Sequence, residues 1–478
     1  MNKFYLTTAI PYVNGKPHIG HALEYFQADT VKRFHQALGE ETLLLSGADE
    51  NALKNVQAAE AEGIEVQKFL DQNSEVFRLA FETLGIDLDI FQRGSDPKTH
   101  WPGVQKLWKL CLESGDIYKK SYKGLYCVGC EEFKDETQLE NGLCPIHQKK
   151  PELVEEENYF FKLSKYQDQL TKLIESNELK ITPANKRQEA LSFIKSGLQD
   201  FSVSRSKERA KGVGVPVPDD PSQIIYVWFD ALNIYMTGIG FGTDKDGWKK
   251  YWPADLHIIG KDINRFHTVY WPAMLLSAGL PIPKQILIHS FITSGGQKMS
   301  KTLGNVIDPF VMIDTYGLEP FRYYLLSQIP IDSDGDFTEE RFKEIYTADL
   351  ANGLGNLVAR VAKLAENSGF EAGRPIEEFD PEVKTLLEEY KFNEALAWIW
   401  KTISLADQRI NQEKPWEQKG DKLKETLDEL VKLIQRIGFN LQTFLPQTSE
   451  KILTQYQGKI KAGPPLFPRL ANETKTSA

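Results

Sequence analysis

The apolar run Phe4–Ile10 ends at Pro11 and the turn pair Asn14-Gly15, and beyond it the apolar spacing changes. Ile19, Leu23, Phe26, Thr30 and Phe34 recur every three to four residues until Gly39, the spacing of a helix with one apolar face and a glycine stop. Thr42–Leu45 is a second apolar run, closed by Ser46-Gly47-Ala48-Asp49-Glu50. Strand, helix and strand in that order form a βαβ unit, and a parallel sheet covered on both faces explains why the strands are apolar throughout. A sheet of this kind binds its ligand outside the carboxyl ends of its strands.

Sheet-like runs return at Ile224–Phe229, Leu256–Ile259 and Ile286–Ile288. Between about Gly115 and Val154 the runs are short, aromatic and polar, and surround cysteines. The pattern predicts an α/β fold: a Rossmann-like parallel sheet split by an insertion. From about Asp349 the chain reads as helical. Leu350, Leu354, Leu357, Val361 and Leu364 form one stripe, and Phe392, Leu396, Ile399, Ile403, Ala406 and Ile410 another, as in an α-helical bundle. The expected division is catalytic domain 1–114, insertion 115–200, second catalytic half 201–290, a lysine-loop region 291–348, helical domain 349–465 and a polar tail 466–478.

A chain of 478 residues suits several domains, and 41% apolar with 26% charged residues is ordinary for a soluble protein. The N-terminus lacks the apolar core of a signal peptide, and no run nears the roughly 20 apolar residues of a membrane span, so a cytoplasmic location is expected. The net charge of −10 disfavours indiscriminate polyanion binding but leaves local basic clusters such as Arg205-Ser206-Lys207-Glu208-Arg209-Ala210-Lys211.

Four cysteines are too few for a disulfide framework. Cys127-Val128-Gly129-Cys130 is followed after thirteen residues by Cys144-Pro145-Ile146-His147, two knuckle-like pairs that suit one tetrahedral Zn²⁺. With four protein ligands the metal has no position for an activated water, so the zinc is expected to be structural and to staple the insertion. Cys111 reads as a core residue.

Two further motifs carry phosphate chemistry. His18-Ile19-Gly20-His21 sits at the strand-to-helix turn, where unpaired backbone N–H groups attract phosphate. Its histidines share one side of the first helical turn and can donate to phosphate oxygens, while Gly20 leaves room for a flat base or ribose. Gly295-Gly296-Gln297-Lys298-Met299-Ser300-Lys301-Thr302 reads as a mobile glycine loop whose two lysines can close over a triphosphate and stabilise charge in the transition state.

Together these motifs, in this order and some 280 residues apart from His18 to Lys298, resemble the two signatures of class I aminoacyl-tRNA synthetases. Thr302 departs from the usual serine and keeps its hydroxyl. Tyr226–Tyr235 and Gly260–Leu275 narrow the resemblance to the methionyl-tRNA synthetase family. It implies a methionine pocket of Ile10, Tyr12, Asp49, Trp228, Ala231, Tyr235, Ile263, His267 and Trp271. Asp49 holds the ammonium, aromatic walls pack the polarizable thioether, and Tyr12 and His267 offer hydrogens to its sulfur. It further implies ATP contacts from Asn14, His18, Gly20, His21, Lys298, Ser300 and Lys301, with Mg²⁺ accompanying ATP. Catalytic roles fall to His18, His21, Lys298, Lys301 and, near pyrophosphate, Arg205.

The family's usual Gly-x-Asp-Glu-His-Gly stands here as Gly47-Ala48-Asp49-Glu50-Asn51-Ala52. Asn51 cannot become cationic, and Ala52 has less backbone freedom. In the helical part, Asn352, Asn356 and Arg360 recur every four residues away from the leucine stripe, and Asn411 and Trp416 follow. By resemblance these read the anticodon, and Trp416 can stack on an unpaired base. The implied partners are ATP, L-methionine and tRNA(Met), with no membrane and a monomeric chain. The competing expectations are a class I synthetase for another amino acid and a non-catalytic tRNA-binding relative.

Overall fold

The structure, a computed structural model, describes residues 2–128, 132–146, 148–243, 247–299 and 305–470. The chain divides into two compact units, Met1–Pro17 with Leu38–His289, and His18–Ala37 with Ser290–Ala478.

The first unit is built on a six-stranded, all-parallel sheet. Its strands are β1 (Lys3–Thr8), β2 (Glu41–Ala48), β3 (Ile90–Arg93), β4 (Lys180–Thr182), β5 (Leu256–Gly260) and β6 (Gln285–His289), in the spatial order β3-β2-β1-β5-β6-β4. Leu6 pairs with Leu44 on one side and Leu256 on the other. Tyr5, Leu6, Leu44, Leu45, Ile258, Ile259, Ile286, Leu287 and Ile288 are fully buried, which is why these runs carry no polar alternation. The strand order reverses between β1 and β5, the switch point at which doubly wound sheets open a ligand crevice.

Two expectations for this unit change. Ile224–Phe229 is not a strand of the main sheet. Asp220–Ile225 belongs to a small antiparallel sheet with Ser204–Ser206 and Pro216–Val217, and Val227–Ala231 is a helix. A short apolar run has no period to separate a strand from a buried helix, and here it holds both. The stretch around the cysteines is also more regular than its composition suggests. Ile117–Cys127 and Glu152–Phe161 pair antiparallel along their length in a four-stranded sheet, filled by ring contacts such as Tyr122–Phe133 at 4.9 Å and Tyr126–Phe133 at 5.1 Å.

The second unit is mainly helical. Leu318–Gln328, Asn356–Ser368, Phe392–Glu413, Gly420–Leu441 and Pro446–Gln455 are its longer helices after Ile19–Ala37. Both expected stripes are buried, apart from half-buried Leu364. Tyr346–Gly355 is π-helical rather than α-helical. Among the described residues no helix is long and apolar enough to cross a membrane.

Candidate active site

At the carboxyl end of β1 the chain runs through Ile10 and Tyr12, and Tyr12 forms a parallel bridge to Asp49 just past β2. The Asp49 N–H donates to the Pro11 carbonyl at 2.9 Å, and Asn55 Nδ2 donates to the Asp49 carbonyl at 2.9 Å. These bonds fix a carboxylate residue that is only 2% exposed. Trp228 and Ala231, three apart on the helix Val227–Ala231, are both buried. Trp228 meets Tyr12 edge-on at 6.1 Å and stacks on Phe266 at 3.8 Å. Trp271 is fully buried against Trp252 at 5.9 Å. Trp228, Tyr235 and Trp271 belong to one apolar core, against which Ile10, Tyr12 and Ile263 pack. The indole N–H groups of Trp228 and Trp271 are buried with no partner among the described residues.

His267 differs from the expected sulfur donor. Its Nδ1 lies 3.0 Å from the Ile263 carbonyl, which only accepts, so Nδ1 carries the hydrogen. Burial pushes its pKa down to about 4, so the ring is neutral and Nε2 is a bare acceptor, 2.8 Å from the Tyr235 hydroxyl. With its single hydrogen committed, His267 orients Tyr235 instead of donating to a ligand. Behind them lies a layer missing from the sequence reading. The Tyr5 hydroxyl donates to the Tyr235 carbonyl at 2.6 Å, and His257 packs on the Tyr235 ring at 4.4 Å while Nδ1 meets Thr7 Oγ1 at 2.6 Å. Phe266 and Trp252 were missed as well, and the aromatic density flanking His267 and preceding β5 was the available signal.

The loop after Asp49 is held locally. Glu50 takes Arg93 Nε at 2.9 Å, Ser74 Oγ at 2.6 Å and the Ser95 N–H at 3.0 Å. Ala52 has φ −97° and ψ 140°, ordinary extended backbone, so the missing glycine costs nothing there.

The histidine turn and the glycine-lysine segment lie in the second unit. The His18 N–H donates to His21 Nδ1 at 3.1 Å, and the Gly20 N–H donates to His18 Nδ1 at 3.1 Å. Each neutral ring therefore carries its proton on Nε2, the tautomer that gives to a phosphate oxygen. The rings lie 3.9 Å apart. A Cβ on Gly20 would meet the His18 ring at 3.0 Å, a second reason for glycine there. Gly295 and Gly296 begin the glycine-lysine segment as a tight turn. With φ of +60° and +73° they make the two-residue turn of a tight hairpin between Ile292–Ser294 and Gln297–Lys298, pinned by the Gly296 N–H on Asp336 Oδ1 at 2.9 Å. Lys298 is exposed on that hairpin, while Ser300 and Lys301 lie outside the described residues. Asn14, exposed, belongs to the first unit.

Arg205 is 7% exposed, its Nη1 donates to Ser202 Oγ at 2.9 Å and the Ser204 carbonyl at 2.7 Å, and its guanidinium lies over Tyr226, Tyr126 and Phe133 at 4.4, 5.1 and 5.2 Å. A planar, weakly hydrated cation stacks readily on aromatic faces. In this structure Arg205 thus clamps the insertion sheet. Of the expected metal ligands, Cys127 and Cys144 are buried, whereas Cys130 and His147 lie outside the described residues. Cys111 is a buried core residue, as expected. Among the anticodon candidates, Asn352, Asn356, Asn411 and Trp416 are exposed. Arg360 binds Asn411 Oδ1 at 3.0 Å and Asp407 Oδ1 at 3.1 Å.

A family model for class I tRNA synthetases (M) matches residues 4–146 and 130–362. The methionine–tRNA ligase of Clostridium acetobutylicum is 39% identical, covering 99% of this chain and 79% of that one. That of Brucella suis is 40% identical over 94% of this chain and 91% of its own. Among solved structures, Mycobacterium tuberculosis methionyl-tRNA synthetase in complex with methionyl-adenylate superposes with a TM-score of 0.91 at 34% identity, over 98% of this chain and 99% of that one. A parallel sheet flanked by these buried aromatics, a His-x-x-His helix turn and these likenesses place the chain in the class I methionyl-tRNA synthetase family.

Proposed function

We infer that this chain activates methionine with ATP and transfers it to tRNA, and that the amino acid sits at the carboxyl edge of the parallel sheet. Methionine–tRNA ligation is its activity. In the first step a methionine carboxylate oxygen attacks the α-phosphorus of ATP, the bond to the bridging oxygen breaks, and pyrophosphate leaves. In the second, a terminal ribose hydroxyl of tRNA, the 2′-hydroxyl in this class, attacks the adenylate carbonyl and AMP departs. Neither step requires a protein nucleophile, so the enzyme contributes alignment and charge stabilisation.

Asp49 takes the substrate ammonium, and Trp228, Ala231, Tyr235, Ile263 and Trp271 enclose the side chain with Ile10 and Tyr12. His18 and His21 give Nε2 hydrogens to the phosphates, with Lys298 and Lys301 adding positive charge as it is needed. The observation that carries the phosphate role is the pair of backbone N–H bonds holding both Nδ1 atoms as acceptors. Mg²⁺ accompanies ATP. The helical unit reads the tRNA anticodon through Asn352, Asn356, Arg360, Asn411 and Trp416, supported by the exposure of four of them and the Arg360–Asn411 bond.

A structural Zn²⁺ on Cys127, Cys130, Cys144 and His147 fits the donor chemistry of the insertion. Cys127 and Cys144, one from each pair, are both buried. Metal analysis of the purified chain should find about one zinc, consistent with a four-ligand site. A folded, metal-free protein refutes the knuckle.

The activity is tested by ATP–pyrophosphate exchange with methionine, leucine, isoleucine, valine and cysteine offered separately. Methionine alone should support it. Lys301→Ala should slow exchange by about 10²–10³-fold, the scale of one lost transition-state contact, with methionine affinity nearly intact. Unchanged exchange in that variant removes Lys301 from the phosphate site.

A further inference from the structure

Asn51 lies two residues beyond Asp49 and is only half-buried. Its Nδ2 donates to Asp230 Oδ2 at 2.6 Å and to the Gly94 carbonyl at 2.8 Å. Asp230 is 1% exposed and sits on the helix Val227–Ala231, between Trp228 and Ala231. Its second oxygen, Oδ1, lies 2.5 Å from His100 Nε2, and His100 Nδ1 lies 2.7 Å from Thr237 Oγ1. A carboxylate only accepts, so His100 carries a hydrogen on Nε2 and gives it to Asp230. Each oxygen of this buried carboxylate therefore has a donor from a different segment, His100 at the start of one helix and Asn51 from the loop that bears Asp49.

The two donors are not equivalent. His100 is fully buried and has nowhere else to place its N–H. Asn51 reaches solvent, and its amide would be hydrated at little cost if the bond were released. Release would leave Asp230 Oδ2 buried without this donor, a cost in stability, but the bond also has a geometric consequence. Asp49 is held from one side by Tyr12 and Pro11, and from the other by a loop tied to the helix that carries two pocket walls. The distance from carboxylate to aromatic wall is thereby set by a short charge-assisted hydrogen bond.

We propose that Asn51 is a positioning residue for methionine, fixing through Asp230 the spacing between the carboxylate that takes the ammonium and the Trp228–Ala231 wall that takes the side chain. This rests on the methionine-pocket reading above. None of the residues read as ATP contacts belongs to this linkage, so methionine binding alone should depend on it.

The test is ATP–pyrophosphate exchange on the full chain with Asn51→Leu, which keeps the bulk and removes the amide, and Asn51→Asp, which keeps the shape and sets a second carboxylate against Asp230. Both should raise the methionine KM by about ten- to a hundred-fold, the equivalent of one hydrogen bond to a charged group, and leave the ATP KM within about two-fold. A methionine KM within two-fold of wild type, or parallel rises in both KM values, overturns the proposal. A variant that melts below the assay temperature overturns it too, because Asn51 is then a stability residue. Asp49→Asn separates the two readings. If it leaves the methionine KM unchanged, the pocket itself is misplaced. If it raises that KM while Asn51→Leu is silent, only the spacing role falls.

Discussion

His267 shows how burial decides what an imidazole can do. Its folded pKa is about 4 against an ordinary 6.5, and His257 beside it is depressed in the same sense by burial and by its neighbouring ring 6.3 Å away. Between these values the unfolded chain binds a proton that the folded chain refuses. The stability contributed by neutral His267 is therefore complete above about pH 6.5 and is lost as pH falls toward 4. For this one group the loss is roughly 2 kcal/mol by pH 5. Urea unfolding at pH 7.5 and pH 5 should show it, and His267→Gln, which can still accept from Tyr235, should flatten the difference. Equal pH slopes for variant and wild type would mean the ring is not held neutral by the fold.

The helix Leu318–Gln328 joins parts of the second unit that are distant in sequence. Arg322, fully buried, donates to Asp29 Oδ2 at 2.5 Å and Thr30 Oγ1 at 3.1 Å on the helix that begins at the histidine turn, and to the Thr443 and Phe444 carbonyls at 3.0 and 2.6 Å. Glu319, one turn earlier, accepts the N–H groups of Gln447 and Thr448 at the start of Pro446–Gln455. Arg322→Ala strands Asp29 among buried groups and should cost about 3–5 kcal/mol, read as a fall in the denaturation midpoint of this unit. A loss below 1 kcal/mol would show that Arg33, at 2.6 Å from the same oxygen, suffices for Asp29. The parallel strands, the histidine helix and both helical stripes were legible in the sequence, because burial on both faces or on one face leaves a period that composition cannot imitate. Residues whose role depends on a partner far along the chain were not. The three aromatic rings around Arg205 come from distant segments, and Glu319 and Arg322 carry no local signal. The Gly295-Gly296 pair announced unusual backbone, but not whether it was loose or tightly turned, since that depends on Asp336.

Across the whole molecule the two steps of the reaction make different demands. Methionine activation needs only small ligands, whereas transfer needs the correct tRNA, so a residue that serves recognition alone should leave the first step untouched. Trp416 is suited to such a separation. It is 54% exposed on the short turn Pro415–Glu417, after Lys414 takes the left-handed φ of 44°, and so is not an anchor into the bundle. A large aromatic held in solvent by a strained residue has given up burial, and stacking on an unpaired base would restore it. Stacking of this kind contributes roughly 1–3 kcal/mol per base, or about 5- to 150-fold in kcat/KM. Trp416→Ala should therefore lower aminoacylation of tRNA(Met) by that factor while ATP–pyrophosphate exchange stays at the wild-type rate. Because the side chain is exposed, the variant should melt with the wild type, so a parallel fall in exchange would point to damage transmitted through the fold and would remove Trp416 from the tRNA interface.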